Sequence, residues 1–221
     1  EFVNICKQGY QELIYVSICG KGSSTHNNAV IAKNEFYEKY PQYSDFKIHI
    51  IDSKTYCLAY GYPVMEAAKK AKRNATSDEI IAYLNDWFDS VLVFLAPYTL
   101  EFAKKSGRIG CAAAFMGELI GLRPIILMVD GTTKTIAKVR GDKNVVPELV
   151  KLAKEHAVPE TPYVVIETML KEESKDLQAS MKKAFGYDCV GVYQAGAAIS
   201  INAGPKIVAV VVKGQNRKSN Q

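Results

Sequence analysis

The sequence has little that resembles a finished catalytic centre. Its three histidines, His26, His49 and His156, are far apart, and none has a second histidine at a metal-ligand spacing such as H-x-x-x-H. There is no G-x-S-x-G segment, which removes the exposed serine elbow of one large hydrolase class. The five cysteines (Cys6, Cys19, Cys57, Cys111, Cys189) form no C-x-x-C pair, and their number is odd. Four sit among apolar neighbours. That predicts buried free thiols in a reducing compartment, not a disulfide framework. No run reaches the ~18 apolar residues that a membrane span needs. Residues 1–5 carry no basic leader of the kind that opens a secretory signal. Internal repeats and low-complexity blocks are also missing.

Charge is close to balanced. A net +5 on 221 residues favours acidic ligands or partners and does not require nucleic acid. Lys69, Lys70, Lys72 and Arg73 cluster at the end of a predicted helix, where the dipole favours cations. They lack the interleaved aromatics and glycines of a nucleic-acid surface. What is abundant is apolar residue, 48% of the chain, enough to bury one core or two small ones.

Apolar runs of strand length alternate with helical patterns, which predicts an α/β protein. Strands are expected at 12–18, 47–51, 91–95, 125–129, 133–140, 163–168, 189–193 and 207–212. Helices are expected at 27–40, 59–73, 76–88, 99–105, 111–120, 144–156 and 172–185. Thr76 with Glu79 three residues on is a capping box. Asp130-Gly131 between two apolar runs marks a hairpin. A hairpin-containing pattern replaces plain strand–helix alternation after residue 89. The expected division is therefore 1–89 and 90–221. The chain has no initiating Met and opens in a helix-like segment, so it reads as part of a longer protein. Residues 213–221 read as a frayed polar tail.

Four places carry chemistry. Gly20-Lys21-Gly22-Ser23-Ser24-Thr25 lies between a strand and a helix, where backbone N–H groups, hydroxyls and the helix dipole converge on an anion. The order of Lys and hydroxyls is not that of a P-loop. Helix capping is the plainer account, but it leaves two glycines and a lysine unexplained. Asp52-Ser53 ends a strand, where open α/β sheets place ligands. An acid there binds metal, acts as a base, or holds a loop by accepting backbone N–H bonds. Ser106-Gly107-Arg108-Ile109-Gly110 aims a guanidinium from a tight backbone at a carboxylate or phosphate, or adds to a solvated basic face with Lys104 and Lys105. Asn202-Ala203-Gly204-Pro205 reads as a turn before the last strand.

These motifs, in this order, resemble those of the DegV family. Residues 15–29, Tyr-Val-Ser-Ile-Cys-Gly-Lys-Gly-Ser-Ser-Thr-His-Asn-Asn-Ala, resemble a family segment that usually reads Ser-Ser-Lys-Leu-Ser-Gly-Thr-Tyr-x-x-Ala. Ile51-Asp52-Ser53 with Ala59-Tyr60-Gly61 resembles its strand-end Asp-Ser and the helix start after it. Leu100 through Gly110 resembles its Leu-x-x-Leu-x-x-Gly-Gly-Arg-Ile signature. Leu122-Arg123-Pro124-Ile125-Ile126, Asp130-Gly131 and Lys138-Val139-Arg140-Gly141 follow in family order. Asn202-Ala203-Gly204-Pro205 stands where the family has His-x-Gly-Pro-Gly. The resemblance covers nearly the whole chain. It departs at Gly20 for the second Ser, Asn202 for the His and Lys206 for the last Gly, while Ser23 is kept. The family's N-terminal strand and its Thr-Ser-x-Pro-Ser loop are not in these residues.

The resemblance implies a two-domain α/β fold: a truncated Rossmann-like α/β/α first domain and an α+β second domain. It implies a bacterial, cytosolic lipid carrier and not an enzyme. One long-chain fatty acid lies between the domains, and some members present its carboxylate to a fatty acid kinase. No cofactor, metal, nucleic acid or membrane span is expected. Transferred to this chain, Ser23, Thr25 and Asn202 hold the carboxylate, and Arg108 sits at the mouth or docks a partner. Ala113, Phe115, Met116, Ile126 and Met128 are candidates for the tunnel wall, with ordinary core packing as the alternative. The rival from another class is a small phosphotransferase or hydrolase that uses Asp52 as acid or base.

Overall fold

The computed structural model describes residues 1–110 and 121–215. The helix expected at 111–120, with Cys111, Ala113, Phe115 and Met116, lies outside the described residues. The elements run α1 (Phe2–Lys7), β1 (Glu12–Ser17), α2 (Thr25–Lys39), β2 (Lys47–Asp52), α3 (Leu58–Ala71), α4 (Ser77–Phe88), β3 (Val91–Pro97) and α5 (Glu101–Ser106). They continue with β4 (Leu122–Val129), β5 (Thr132–Arg140), α6 (Val145–His156), β6 (Val164–Thr168), α7 (Lys171–Phe185), β7 (Gly191–Gln194), α8 (Ala197–Ala203) and β8 (Ile207–Lys213).

Strands β1 and β2 pair in parallel from Glu12↔Lys47 to Ser17↔Asp52, joined by the α2 crossover. One face is covered by α1 and α2 around an aromatic cluster. Phe36, Phe46 and Ile48 are buried there, with Phe2, Leu13 and Tyr37 packed against them. The Phe2 ring meets Phe36 edge-on at 6.3 Å. The Tyr37 phenol donates to the carbonyl of Phe46 at 2.8 Å and accepts the amide of Ile48 at 3.2 Å, which fixes the entry to β2.

The other face meets α3 and α4. Ile14 and Val16 pack into a core that includes Ala59, Ala67, Ile80, Leu84 and Trp87. The predicted capping box opens α4: Thr76 accepts the Glu79 amide while Glu79 accepts the Thr76 amide. Trp87 Nε1 donates to the Ala59 carbonyl at 2.9 Å and ties α4 to α3.

A six-stranded mixed sheet follows, in the order β5-β4-β3-β8-β6-β7. Its central strands, VLVFLAP and IVAVVVK, are apolar at nearly every position because both faces are covered. Val93, Leu95, Ile166, Ile207 and Ala209 point to the α3–α4 side. Phe94, Val165, Val208 and Val210 point to the opposite side, with Leu149 of α6 and Leu177 of α7. This is period-two alternation on a doubly buried sheet. The expected hairpin joins β4 and β5. Asp130 (φ 48°) and Gly131 (φ 68°) both take positive φ, as a two-residue I′ turn requires.

Two expectations are corrected. Asn202 and Ala203 do not lie in a turn; they finish α8, and the chain reverses at Gly204 (φ 98°). The short apolar stretch 197–203 gives no clear period, so its helix is set by packing against α5. Of the described cysteines, all free, Cys19 alone is buried, and Cys6, Cys57 and Cys189 are half-buried. Apolar sequence neighbours do not specify the depth at which a side chain ends.

Candidate functional site

Because β1 and β2 are parallel and in register, their C-terminal loops emerge side by side. The Asp52 carboxylate joins them: its Oδ1 accepts the amides of Gly20 at 3.0 Å and Lys54 at 2.9 Å. The Cys19 amide donates to the Thr55 carbonyl at 3.0 Å, and Ser53 Oγ accepts the Thr55 amide at 3.3 Å. Ser17 Oγ donates to the Ile51 carbonyl at 3.2 Å and lies 3.0 Å from His26 Nδ1. Asp52 is thus a structural clamp, the third of the three roles open to it in the sequence. Lys54 and Cys57 both sit at φ 54°, a conformation that costs about 1–3 kcal/mol for a non-glycine residue. The clamp holds that strained loop.

The hydroxyl loop turns at Cys19, whose carbonyl accepts the amides of Gly22 and Ser23, each at 3.1 Å. Ser23 Oγ accepts the Thr25 amide at 3.3 Å and lies 2.8 Å from Thr25 Oγ1. When Thr25 Oγ1 is the donor of the second bond, the Ser23 hydroxyl proton is left for a ligand. The helix starts at Thr25, two residues before the expected start.

The second wall comes from α5, the loop after it, and α8. Gly107 is left-handed (φ 64°) and ends α5. Ser106 Oγ accepts the Arg108 amide at 3.2 Å and lies 3.4 Å from the Asn202 carbonyl. That oxygen ties the Arg108 loop to α8. Asn202 Nδ2 donates one of its two protons to the Ala198 carbonyl at 2.8 Å.

Between the two walls lies a cavity of about 440 Å³. Val93, Leu95, Ile166, Ile207 and Ala209 of the six-stranded sheet form an apolar floor. Polar side chains also line it: Ser23, Thr55, Tyr56, Arg108 and Asn202. The size and the apolar lining with few polar groups are those of a small-molecule site. A second hollow of about 520 Å³ runs beside β1 and α3, but its walls include none of the hydroxyl loop.

Ser23, Arg108, Asn202 and Met128 therefore meet at one cavity although they are distant in sequence. Thr25 is exposed and reaches it through Ser23 alone. Ile126 is fully buried in the core and is not among the lining residues. Ala113, Phe115 and Met116 are outside the described residues. Tyr56, Cys57 and Ile201 line the cavity without having been singled out by sequence. For Tyr56 a signal existed, since it lies four residues after a strand-end acid. Burial, then the neighbouring Cys19 side chain, pushes the Tyr56 phenol up, so it keeps its proton at neutral pH. Burial likewise pushes the Cys57 thiol up. Among the described residues no group of His, Cys, Asp and Glu could hold a metal, and no helix is long and apolar enough to cross a membrane.

The model described as "Uncharacterised protein, DegV family" matches residues 1–214. The chain belongs to the DegV family. A DegV domain-containing protein of Clostridium perfringens is 30% identical over 211 residues, 95% of this chain and 73% of that protein. Solved DegV-type structures show the same fold. A DegV family protein of Eubacterium eligens loaded with heptadecanoic acid superposes with a TM-score of 0.81 at 22% identity, covering 93% of this chain and 74% of that one. A stearic acid-binding protein of Eubacterium ventriosum gives 0.83 at 20% identity, covering 98% and 75%. The Fatty Acid Kinase B3 protein of Streptococcus pneumoniae loaded with linoleic acid gives 0.84 at 18% identity, covering 96% and 74%. The two-domain α/β fold expected from the motifs is thus the DegV fold.

Proposed function

We propose that this DegV chain holds one long-chain fatty acid in the cavity, with its carboxylate at Ser23 and Asn202 and its tail on the sheet floor. The single observation that carries this reading is a cavity of about 440 Å³ lined by apolar residues of the sheet together with the polar side chains of Ser23, Thr55, Tyr56, Arg108 and Asn202. The acids bound by the structurally similar DegV proteins support it. In this reading residues 1–89 and 90–221 are two units, and the ligand lies between them.

The energetics suit a lipid. About 14 methylenes at ~0.8 kcal/mol each gain roughly 11 kcal/mol on burial. Association and ordering take back at least ~4 kcal/mol. The tail sets affinity, and the polar end sets orientation, because a mismatched buried polar group is costly.

The chain acts as a carrier. Arg108, exposed at the mouth, attracts the acid or meets the acidic surface of a kinase that phosphorylates the bound acid. A hydrolase or phosphotransferase based on Asp52 would need that carboxylate free, and its Oδ1 already carries two backbone amides.

Mass spectrometry of an organic extract of the purified protein tests the reading. A co-purified long-chain acid is the expected result. Protein that neither carries nor takes up such an acid would overturn it.

A further inference from the structure

Tyr56 of the loop after β2 packs against the hydroxyl loop. A Cβ built on Gly22 would collide with the Tyr56 phenol oxygen. The phenol therefore occupies the space that any side chain at position 22 would take, one residue from Ser23. Its oxygen also meets the side chain of Cys19, which is fully buried. That thiol is itself pressed against the hairpin turn, where a Cβ on Gly131 would fall 2.5 Å from Cys19 Sγ. The ring is thus packed against the loop after β1, which the hairpin turn braces from behind, and both Tyr56 and Gly22 line the cavity.

We infer that Tyr56 is a second hydroxyl of the carboxylate clamp, donating its phenol proton to the acid and selecting acids over neutral lipids. This rests on the fatty-acid reading and adds a residue to it. A thiol is a weak donor and a weak acceptor, so contact with Cys19 leaves the phenol proton available to a stronger acceptor. A carboxylate is that acceptor, and a bond from a neutral donor to an ionised group is roughly twice as strong as one between neutral groups. The phenol must stay protonated to donate, and its burial ensures that. Ser23 and Arg108 line the same cavity as Tyr56, and the Arg108 charge reaches the phenol from there. An alcohol in place of the acid gains no charge-assisted bond.

The test compares the binding of oleate and oleyl alcohol to the full chain and to Tyr56→Phe. Phenylalanine keeps the ring that packs against Gly22 and removes only the oxygen. Oleate affinity should fall about tenfold or more, equivalent to ~1.4 kcal/mol, while oleyl alcohol affinity changes less than about twofold. Tyr56→Leu removes the same oxygen with a different side chain and should reduce the acid-to-alcohol ratio similarly. An unchanged ratio in both variants, with oleate bound by the parent chain, overturns the role of Tyr56 and leaves the fatty-acid reading standing. If the parent chain binds neither lipid, the fatty-acid reading fails, and the inference fails with it.

Discussion

The amide of Gly20 donates to the Asp52 carboxylate at 3.0 Å, a bond that spans 32 positions and joins the loops after β1 and β2. The same oxygen takes the Lys54 amide at 2.9 Å. Asp52→Ala leaves two part-buried donors without their acceptor and should lower stability by about 1–3 kcal/mol. Urea unfolding measures this. A loss below a few tenths of a kcal/mol would mean the clamp is dispensable.

Gly22 and Tyr56 form a testable pair. Gly22→Ala places a methyl group against the phenol oxygen and should cost about 1–3 kcal/mol by overpacking. The same change made in a Tyr56→Phe background meets no oxygen and should cost clearly less. A double-mutant cycle on unfolding free energies reads the coupling, and simple additivity would show that the two positions do not touch.

The capping box gives a pH dependence. Hydrogen bonds from the Thr76 backbone amide, then from its hydroxyl, hold the Glu79 carboxyl below its ordinary range. A lowered folded pKa means that the contribution is complete above the unfolded value and is lost as pH falls through the folded one. Thr76→Ala should cost about 1 kcal/mol near neutrality by removing the N-cap. The gap between the variant and the parent should narrow in acid, as measured by unfolding midpoints across that range. A gap that widens below the carboxylate range would contradict the assignment.

Cys57 reports on occupancy. It lines the cavity and is half-buried, with a thiol raised by burial, so alkylation should be slow. Saturating oleate should slow it further without changing Cys6 or Cys189, which do not line the cavity. Site-resolved mass spectrometry after iodoacetamide treatment gives the rates. Equal protection at all three thiols would indicate global tightening and not a ligand in the cavity.

Arg108→Ala should leave fatty acid affinity nearly unchanged and slow phosphorylation of the bound acid by a cognate kinase. The opposite pattern, lost affinity with normal transfer, would move Arg108 from the partner surface into the acid site.

Much of the architecture was legible because its signals are local. The capping box at Thr76, the Asp130-Gly131 turn and the apolar runs of β3 and β8 need only near neighbours to act. The hydroxyl loop was legible for the same reason, since glycines and hydroxyls before a helix are read over six positions. The α8 helix was not, because seven residues give too short a period and its support comes from α5. Ile126 and Met128 show a subtler limit. They lie two apart on one strand and share a face, so alternation cannot separate them. Depth along the strand decides: Ile126 is sealed in the core, and Met128 reaches the cavity.

By itself the sequence determined most strands and helices, the strand-end acid and the hydroxyl loop before α2, because hydrogen-bonding capacity and hydrophobic period are properties of short segments. Only the tertiary structure decided that Asp52 is a clamp, that Ser23, Arg108 and Asn202 line one cavity, and that Tyr56 lines it with them. Those facts depend on parallel strand register and on how α5 and α8 pack over the second sheet. No local pattern encodes such distances across tens of residues.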